Sequence, residues 1–188
     1  MPLMDHFDLL APLYDKVIAY KDPVKIIELG KFPLRGIVLD AGGGTGRISQ
    51  ALVGKADAII VLDLSFGMLQ KASKKNGLKP VCSHTECLPF SDEVFEAVVM
   101  VDALHHVCDQ IETAQELLRV VKKGGRIVIE EPDIRKFSVK LVALAEKLAL
   151  MRSRFISPVR IAALFPGEAG TKTIERDGFN AWVMIEKS

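Results

Sequence analysis

The feature that most constrains the fold is a glycine-rich turn between a short apolar segment and a helical pattern. The apolar segment Ile37-Val38-Leu39 leads into Asp40, and glycines follow at the alternate positions Gly42, Gly44 and Gly46. A backbone without side chains can approach a ligand closely, and the start of a helix presents unpaired N–H groups. The turn therefore predicts a strand, a nucleoside-binding site and a helix, in that order.

From position 36 onward, short apolar segments alternate with helical patterns. The predicted strands are β-branched and uninterrupted, as strands covered on both faces are, and they lie at 37–39, 58–62, 80–82, 97–101 and 126–129. Helices are predicted from Arg47, from Ser65 and after Asp109, where Glu112 completes capping-box spacing. This alternation predicts an α/β fold of the doubly wound, Rossmann-like kind around a mainly parallel sheet.

Three further segments flank this alternation. The first thirty residues have a helical pattern, and the segment from Phe137 to Met151 has apolar residues at helical spacing. The tail predicts two strands joined at Asp177-Gly178, a dipeptide favoured in tight hairpins. We therefore predict a single domain over 1–188, which has four parts: an N-terminal helical arm 1–30, a core 36–131, a helical lid or insertion 137–165 and a terminal hairpin 171–186.

The composition argues against a nucleic-acid-binding or membrane-spanning protein. The net charge is +1, and the lysine pairs Lys74-Lys75 and Lys122-Lys123 fall where helices are predicted to end, as helix-terminal charges do. The longest apolar run, 97–101, is far shorter than the roughly 20 residues that cross a bilayer. Without an export signal, the three cysteines are expected to be reduced thiols in a cytoplasmic protein.

The residue that ends the second predicted strand helps to identify the ligand. Asp63 lies at the carboxyl edge, where α/β sheets bind ligands, and an acidic group there accepts hydrogen bonds from ribose hydroxyls. Dinucleotide sites have the spacing G-x-G-x-x-G, and Arg47 occupies the position of the third glycine here. The pattern therefore favours a different nucleoside cofactor. A dinucleotide-dependent oxidoreductase and a turn that serves packing alone are the alternatives.

The glycine turn resembles the first motif of class I S-adenosylmethionine-dependent methyltransferases. Three later segments resemble further motifs of that family in the same order, at 63–69, 87–99 and 117–126. The similarity is to methyltransferases of the ubiquinone and menaquinone biosynthesis type and their small-molecule relatives. It implies S-adenosylmethionine as cofactor, methyl transfer to a small molecule, and a seven-stranded sheet with a C-terminal antiparallel hairpin. An acceptor of apolar or aromatic character would suit the apolar segment from Phe137 to Met151.

The resemblance also assigns cofactor contacts by position. It places Asp40 and the alternate glycines at the methionine half of the cofactor and Asp63 at the ribose. Tyr14 belongs to an N-terminal pattern in which the tyrosine closes over the cofactor. The remaining residues that the resemblance places around the cofactor follow the second, third and fourth strands: Leu64, Met68, His84, Thr85, Glu86, Cys87 and Val101.

The loop after the third strand departs from the family pattern. Relatives often have an aspartate that accepts a hydrogen bond from adenine N6, followed by a small residue, and this chain has His84-Thr85 there. A neutral histidine accepts such a bond in only one tautomer. The alternative is a solvated His84, with adenine contacted by the backbone near Glu86 and Cys87.

Candidates for acid–base chemistry follow the fourth and fifth strands. His106 is predicted as a general base or as a group that orients the substrate, and His105 is the second candidate. Glu130, Glu131 and Asp133 are candidates for a base or for holding a cationic substrate. For all of these residues a structural role is the alternative.

No metal is predicted. Cys82, His84 and Cys87 lie close together in the chain, but a structural zinc site has four ligands and no second pair with partner spacing occurs.

Two classes of function follow from these patterns. The favoured one is methylation of a small molecule, with the apolar stripe from Phe137 to Met151 as a substrate lid. The rival is a module that binds the cofactor without transferring a methyl group, as a regulatory subunit. The same apolar stripe is equally consistent with a helix that packs on the sheet or on a second subunit. A homodimer is therefore a further alternative.

Overall fold

The computed structural model describes residues 23–137, 139–140 and 153–188. Seven strands in these ranges form one sheet: β1 (Ile37–Ala41), β2 (Ala58–Asp63), β3 (Leu78–Cys82), β4 (Phe95–Val101), β5 (Val121–Pro132), β6 (Gly170–Asp177) and β7 (Asn180–Lys187). Their order is β3-β2-β1-β4-β5-β7-β6, with β1 to β5 parallel and β7 antiparallel to both neighbours. The predicted mainly parallel, seven-stranded α/β fold with a terminal hairpin is confirmed.

Three of the five helices in the described ranges begin where the sequence predicts them, at Arg47, after Ser65 and after Asp109. The five are α1 (Pro23–Leu29), α2 (Arg47–Leu52), α3 (Phe66–Ala72), α4 (Gln110–Val120) and α5 (Pro158–Ala163), with short 3₁₀ turns at Leu104–His106 and Gly167–Ala169. The Ser65 hydroxyl accepts the Met68 N–H at the start of α3. The Asp109 carboxylate accepts two N–H groups at the start of α4. Because these caps satisfy N–H groups that have no partner within the helix, they fix where each helix begins.

Helices cover both faces of the sheet, and each face has its own apolar cluster. Successive side chains of β4 point to opposite faces, so Val98 belongs to one cluster and Val99 to the other. Leu117 of α4 and Ile161 of α5 pack in the first cluster, whereas Ile26 of α1 and Leu52 of α2 pack in the second. The fold is therefore doubly wound, and the helices that follow β1 and β4 lie on opposite faces.

Strand β5 is longer than the predicted 126–129. It begins at Val121, directly after α4, and Val121 pairs with Phe95 before the register shifts to the pair Ala97 and Arg126. The run Lys122-Lys123-Gly124, which the sequence indicates as the end of a helix, therefore belongs to the irregular start of a strand. The helical pattern ends at the predicted place, but a sequence pattern does not reveal pairing across a bulge.

The two predicted helical segments at the margins of the core are only partly described. Within the arm 1–30, α1 packs Ile26 and Leu29 against the sheet, whereas Tyr14 lies outside the described residues. Within 137–165, residues 138 and 141–152 lie outside them, and Ile161 and Phe165 are buried in the core. Among the described ranges, no helix has the length and apolar character that a membrane crossing requires.

Candidate functional site

A pocket opens at the carboxyl ends of β1 and β4. It is lined by residues of β1, the glycine turn, the start of α2 and the end of β4: Asp40, Gly42, Gly43, Gly44, Thr45, Arg47, Ile48, Val101 and Asp102. β1 and β4 are neighbours in the sheet, and the helices that follow them lie on opposite faces. Open α/β sheets bind their ligands in the crevice at such a switch point.

The three alternate glycines of the turn serve different purposes. All have positive φ, which side chains other than glycine rarely adopt. A Cβ on Gly42 would lie 2.6 Å from the Ala103 Cβ, and one on Gly46 would lie 2.6 Å from the Leu78 Cδ1. A Cβ on Gly44 would meet only an Asp63 oxygen, at 3.9 Å. The space over Gly44 is therefore open, whereas packing already explains Gly46, whose contact with a cofactor stays a prediction.

Substitution of Gly42 by alanine should destabilise the protein by about 2–4 kcal/mol. The alanine would adopt an unfavourable left-handed φ of 70° and would overlap Ala103, so the turn after β4 would have to shift. Urea denaturation measures this loss. Gly178→Ala is the matched control, because Gly178 has φ 55° and nothing within 4 Å of its added Cβ. It should cost only about 1 kcal/mol, and an equal loss in both variants would contradict the packing argument.

Asp63 joins the ends of β1 and β2. Its Oδ2 accepts the Gly44 N–H at 2.8 Å, and its Oδ1 accepts the Ser65 N–H at 2.8 Å. A carboxylate offers about four lone-pair sites, so both oxygens can accept further hydrogen bonds from a ligand. The carboxylate therefore shapes the glycine turn and still presents acceptors beside the pocket.

Asp40 is a buried carboxylate at the base of the pocket. Its Oδ2 accepts a hydrogen bond from the Ser49 hydroxyl at 2.6 Å. Burial raises the pKa of Asp40 to about 6, the hydrogen bond from Ser49 opposes that rise, and the nearby charge of Asp63 adds to it. A cation in the pocket would stabilise the ionised form of Asp40.

The raised pKa of Asp40 predicts a pH dependence of stability. The folded state binds this proton more tightly than the unfolded chain, whose carboxyl has a pKa near 3.8. Stability from this group is therefore present below pH 3.8 and is lost as the pH rises through about 6, by about 3 kcal/mol. Denaturation of the protein and of Asp40→Asn at pH 4.5 and 7.5 tests this. The variant should gain relative to the parent at the higher pH, and a constant difference would contradict the shift.

Residues after β3 tie the loop to α4. The Glu86 Oε1 accepts the N–H groups of Cys108 and Asp109, at 2.7 and 3.1 Å. The hydroxyl of Thr85 lies 3.1 Å from that of Thr113. The side chain of His84 is 58% exposed. The exposed His84 agrees with the alternative of a solvated histidine, and the Glu86 carboxylate has a structural role. Contact of His84, Thr85, Glu86 or this backbone with adenine stays a prediction.

The two residues predicted to flank adenine differ in exposure. Leu64 is 48% exposed directly after Asp63, whereas Met68 is buried within α3. Cys87 is also exposed, in the loop after β3. Leu64 and Cys87 are thus accessible to a ligand in the structure as it stands, and the assignment of all three residues stays a prediction.

The turn after β4 is held by one buried carboxylate. The Glu131 Oε1 accepts the N–H groups of Ala103 and Leu104, at 3.1 and 2.8 Å, and its Oε2 lies 2.6 Å from the His105 Nδ1. The His105 ring stacks on Phe155 with centroids 4.2 Å apart. These contacts favour the structural alternative for Glu131 and His105. Elsewhere on β5 and beyond, Glu130 contacts Asn180, and Asp133 pairs with Arg135.

His106 lies beside this turn, with its Nδ1 3.3 Å from the Ser153 hydroxyl. Burial and then the neighbouring His105 lower the pKa of His106 to about 3. The imidazole is therefore neutral at neutral pH and has little affinity for a proton. General bases work best with a pKa near the working pH, so the environment favours the orienting role over the role of base.

Known proteins resemble this chain in sequence and in fold. A family model described as a methyltransferase domain matches residues 39–129, which contain the glycine turn, Asp63 and the turn after β4. The crystal structure of an S-adenosylmethionine-dependent methyltransferase described as putative, from Methanococcus maripaludis, superposes with a TM-score of 0.75 at 20% identity, over 97% of this chain and 92% of that one. The demethylmenaquinone methyltransferase of Clavibacter sepedonicus is 30% identical over 149 residues, or 77% of this chain. These similarities support a class I S-adenosylmethionine-dependent methyltransferase.

The match to full-length members of the family is partial. The demethylmenaquinone methyltransferase of Thermobifida fusca is 38% identical over 101 residues, which are 50% of this chain and 43% of that protein. For the relative from Clavibacter sepedonicus, the covered share of that protein is 58%. The chain thus spans about half the length of the curated relatives that it matches. The family that the chain matches implies use of S-adenosylmethionine.

Sequence reasoning missed two charged residues of this pocket. It treated Arg47 only as the residue in place of a dinucleotide glycine, and it did not single out Asp102. In the structure the Arg47 Nη2 lies 3.9 Å from the Asp102 Oδ2, and both residues line the pocket. A usable signal was present, because Asp102 follows β4 in the same way that Asp63 ends β2.

Proposed function

We propose that this chain catalyses methyl transfer from S-adenosylmethionine to a small molecule of apolar or aromatic character. The observation that carries the proposal is the pocket at the switch point, where the glycine turn is held open by Asp63 through the Gly44 N–H. The similar proteins support the acceptor class, since two of them are demethylmenaquinone methyltransferases.

The described residues fit this cofactor. The space over Gly44 is open, because a Cβ added there would meet only an Asp63 oxygen at 3.9 Å, so a ligand can lie against the backbone. Asp40 and Asp102 line the pocket and Asp63 borders it, with Arg47 as the opposing charge. An excess of acidic groups suits a ligand that carries a net positive charge. We assign Asp40, Gly42, Gly44 and Val101 to the cofactor pocket, with Asp63 at the ribose.

When bound, the cofactor supplies an activated methyl group, so the chain has mainly to align the two reactants and exclude water. The glycine turn and Asp63 would hold the nucleoside. His106, neutral and weakly basic in its setting, would orient the acceptor through a hydrogen bond. We propose that the segment from Phe137 to Met151 closes over the acceptor and that Tyr14 of the N-terminal arm closes over the cofactor, within one domain.

Two measurements test the proposed function. Calorimetry with S-adenosylhomocysteine should show binding in the micromolar range or tighter. Methyl-labelled S-adenosylmethionine should then transfer label to a short-chain demethylated naphthoquinol or to a compound in a metabolite extract. Binding without any labelled product would overturn the catalytic proposal and favour the regulatory module. No binding, or preference for NAD, would overturn the cofactor assignment as well.

A further inference from the structure

The segment that precedes α5 crosses the turn after β4. Its residues 153–156 are here called the strap. Ile156 packs against the apolar cluster that α4 and α5 cover, and Leu104 of the turn belongs to the same cluster. The described residues that line the pocket come from β1, the glycine turn, α2 and the end of β4. The strap is therefore separate from that pocket.

A buried glutamine side chain connects the strap to the turn. Gln110, the first residue of α4, is 7% exposed, so its amide has to find partners within the protein. Its Nε2 donates to the Leu104 carbonyl at 3.0 Å and to the Arg154 carbonyl at 2.7 Å. An amide group has two N–H donors, one for each carbonyl. Gln110 thus clamps together two segments that are far apart in the chain.

Further contacts set the register between the strap and the turn. The Arg154 N–H donates to the His105 carbonyl at 2.7 Å. The Phe155 ring stacks on the His105 ring with centroids 4.2 Å apart. The Ser153 hydroxyl lies 3.3 Å from the His106 Nδ1. Ser153 and Phe155 are partly buried and Arg154 between them is exposed, so a shift by one residue would turn Arg154 toward the histidines.

We propose that Gln110 is a positioning residue for the methyl acceptor. By clamping the strap onto the turn, it keeps the Ser153 hydroxyl and the His105 ring in place against His106. The role of Gln110 rests on the proposed function, because His106 orients the acceptor there. It goes further by giving a task to a glutamine and a strap that lie outside the cofactor pocket.

The orientation of the His106 ring depends on these neighbours. Its centroid lies 3.9 Å from that of the His105 ring, which Glu131 holds at Nδ1. Its own Nδ1 meets Ser153 of the strap. A misplacement of about 1 Å can lower the rate of an aligned reaction on the order of 100-fold. A small displacement of the strap would therefore reduce methyl transfer without any change in the residues that hold the cofactor.

A buried amide suits this task better than an apolar side chain does. Apolar packing is not directional, whereas hydrogen bonds fix the distance between the groups that they join. Buried polar groups with satisfied hydrogen bonds make their surroundings rigid and specify one arrangement. Gln110 therefore specifies one position of the strap over the turn, in addition to filling space.

The far end of the strap is fixed independently of Gln110. The Ser157 hydroxyl accepts the Arg160 N–H at the start of α5, and Ile161 and Phe165 are buried in the core. Loss of the clamp should therefore loosen the strap at the turn and leave α5 packed on the sheet.

The test replaces Gln110 by methionine, which has a similar length and helix propensity but no N–H donor. We expect Gln110→Met to lower kcat/KM for a short-chain demethylated naphthoquinol about 10- to 100-fold at saturating S-adenosylmethionine. The Kd for S-adenosylhomocysteine should stay within about twofold of the parent value. Gln115→Met, at an exposed position of the same helix, is the matched control and should change neither quantity.

Ser153→Ala tests the same link without removing the clamp, and it decides the question if Gln110→Met does not fold. It deletes the hydroxyl beside His106 and keeps the backbone contacts of Arg154. We expect kcat/KM for the naphthoquinol to fall about 3- to 10-fold. Ser73→Ala is the control, because it also deletes a hydroxyl that donates, to the Gln70 carbonyl at 2.9 Å, and it should leave kcat/KM unchanged.

A second readout does not require activity. Burial and then the neighbouring His105 lower the pKa of His106 to about 3. In Gln110→Met we expect NMR titration to show a rise of this pKa toward the ordinary value of 6.5, because a loosened strap admits water to the ring. A glutamine that only stabilised α4 would leave this pKa unchanged, as Gln115→Met should.

These readouts separate failure of the clamp from failure of the proposed function. Equal losses of S-adenosylhomocysteine affinity and of kcat/KM in Gln110→Met would show a general structural effect and would overturn the positioning role. Unchanged kcat/KM in an active protein would overturn it too. If the parent transfers no methyl group, the proposed function fails, and the pKa of His106 in Gln110→Met then decides the clamp. A rise supports the clamp, and a constant value overturns it.

Discussion

Asp63→Ala should weaken binding of S-adenosylhomocysteine by about 100-fold or more. The substitution removes the acceptor of the Gly44 and Ser65 N–H groups, at 2.8 Å each, and it removes the proposed acceptor of the ribose hydroxyls. A hydrogen bond to a charged group contributes about 1.5–3 kcal/mol, and two such bonds correspond to at least two orders of magnitude in affinity. Calorimetry at pH 7.5 measures the effect.

A control for this prediction is available at the other end of the sheet. The exposed carboxylate of Asp57 accepts the Gly36 N–H at 2.7 Å, beside the amino end of β1. Asp57→Ala therefore loses a backbone contact of the same kind, with a stability cost of about 1 kcal/mol, and should bind S-adenosylhomocysteine within about twofold of the parent. An Asp63→Ala variant that bound as well as Asp57→Ala would rule out the ribose assignment.

Glu131→Ala should lower the free energy of unfolding by about 3–5 kcal/mol and the melting temperature by about 10 °C. Two N–H groups and the His105 ring lose their common acceptor in a site where Glu131 and His105 are buried. Buried donors without a partner carry the full cost of desolvation, which makes this loss much larger than that of a surface ion pair. Chemical denaturation and thermal melting both report it.

Two variants calibrate the result. Glu131→Gln keeps an oxygen for the Ala103 and Leu104 N–H groups and changes only the contact with His105, so it should cost about 1–2 kcal/mol. Glu175→Ala removes an exposed partner of Lys25 and should change stability by less than about 0.5 kcal/mol. If Glu131→Ala were as stable as Glu175→Ala, the buried carboxylate would not be what holds the turn after β4.

Local patterns predicted the architecture well. Apolar runs with β-branched residues located β1, β2 and β4, the capping residues Ser65 and Asp109 located two helices, and Asp177-Gly178 located the terminal hairpin. Each of these signals involves only a few neighbouring residues. The apolar runs act through the alternation of side chains, the capping residues through hydrogen bonds to nearby N–H groups, and Asp177-Gly178 through its preference for the φ values of a tight turn. The start of β5 was predicted too late, because its first pair, Phe95 with Val121, depends on a partner strand.

The candidate site was predicted in part. Asp40, Gly42, Gly44 and Val101 line the pocket as their positions at strand ends suggested, and Asp63 borders it. Histidine and glutamate after β4 and β5 suggested chemistry, but their roles depended on partners that no local pattern reveals. The Glu131 oxygens hold His105 and the turn, and burial lowers the pKa of His106 to about 3.

The glycine turn shows where the sequence was sufficient by itself. A strand that runs into alternate glycines and then a helix predicts a turn with left-handed φ at each glycine, and the structure has φ of 55–72° at Gly42, Gly44 and Gly46. The acidic end of the next strand and Arg47 in place of a third glycine indicated which kind of cofactor.

Only the tertiary structure decided which distant residues meet. Arg47 and Asp102 come from different strand–helix units, and the Glu86 carboxylate reaches the N–H groups at the start of α4. The order of the strands creates these contacts by placing β1 beside β4. No sequence pattern within one segment tells which distant segment will pair with it. Such contacts are therefore known only from the assembled sheet.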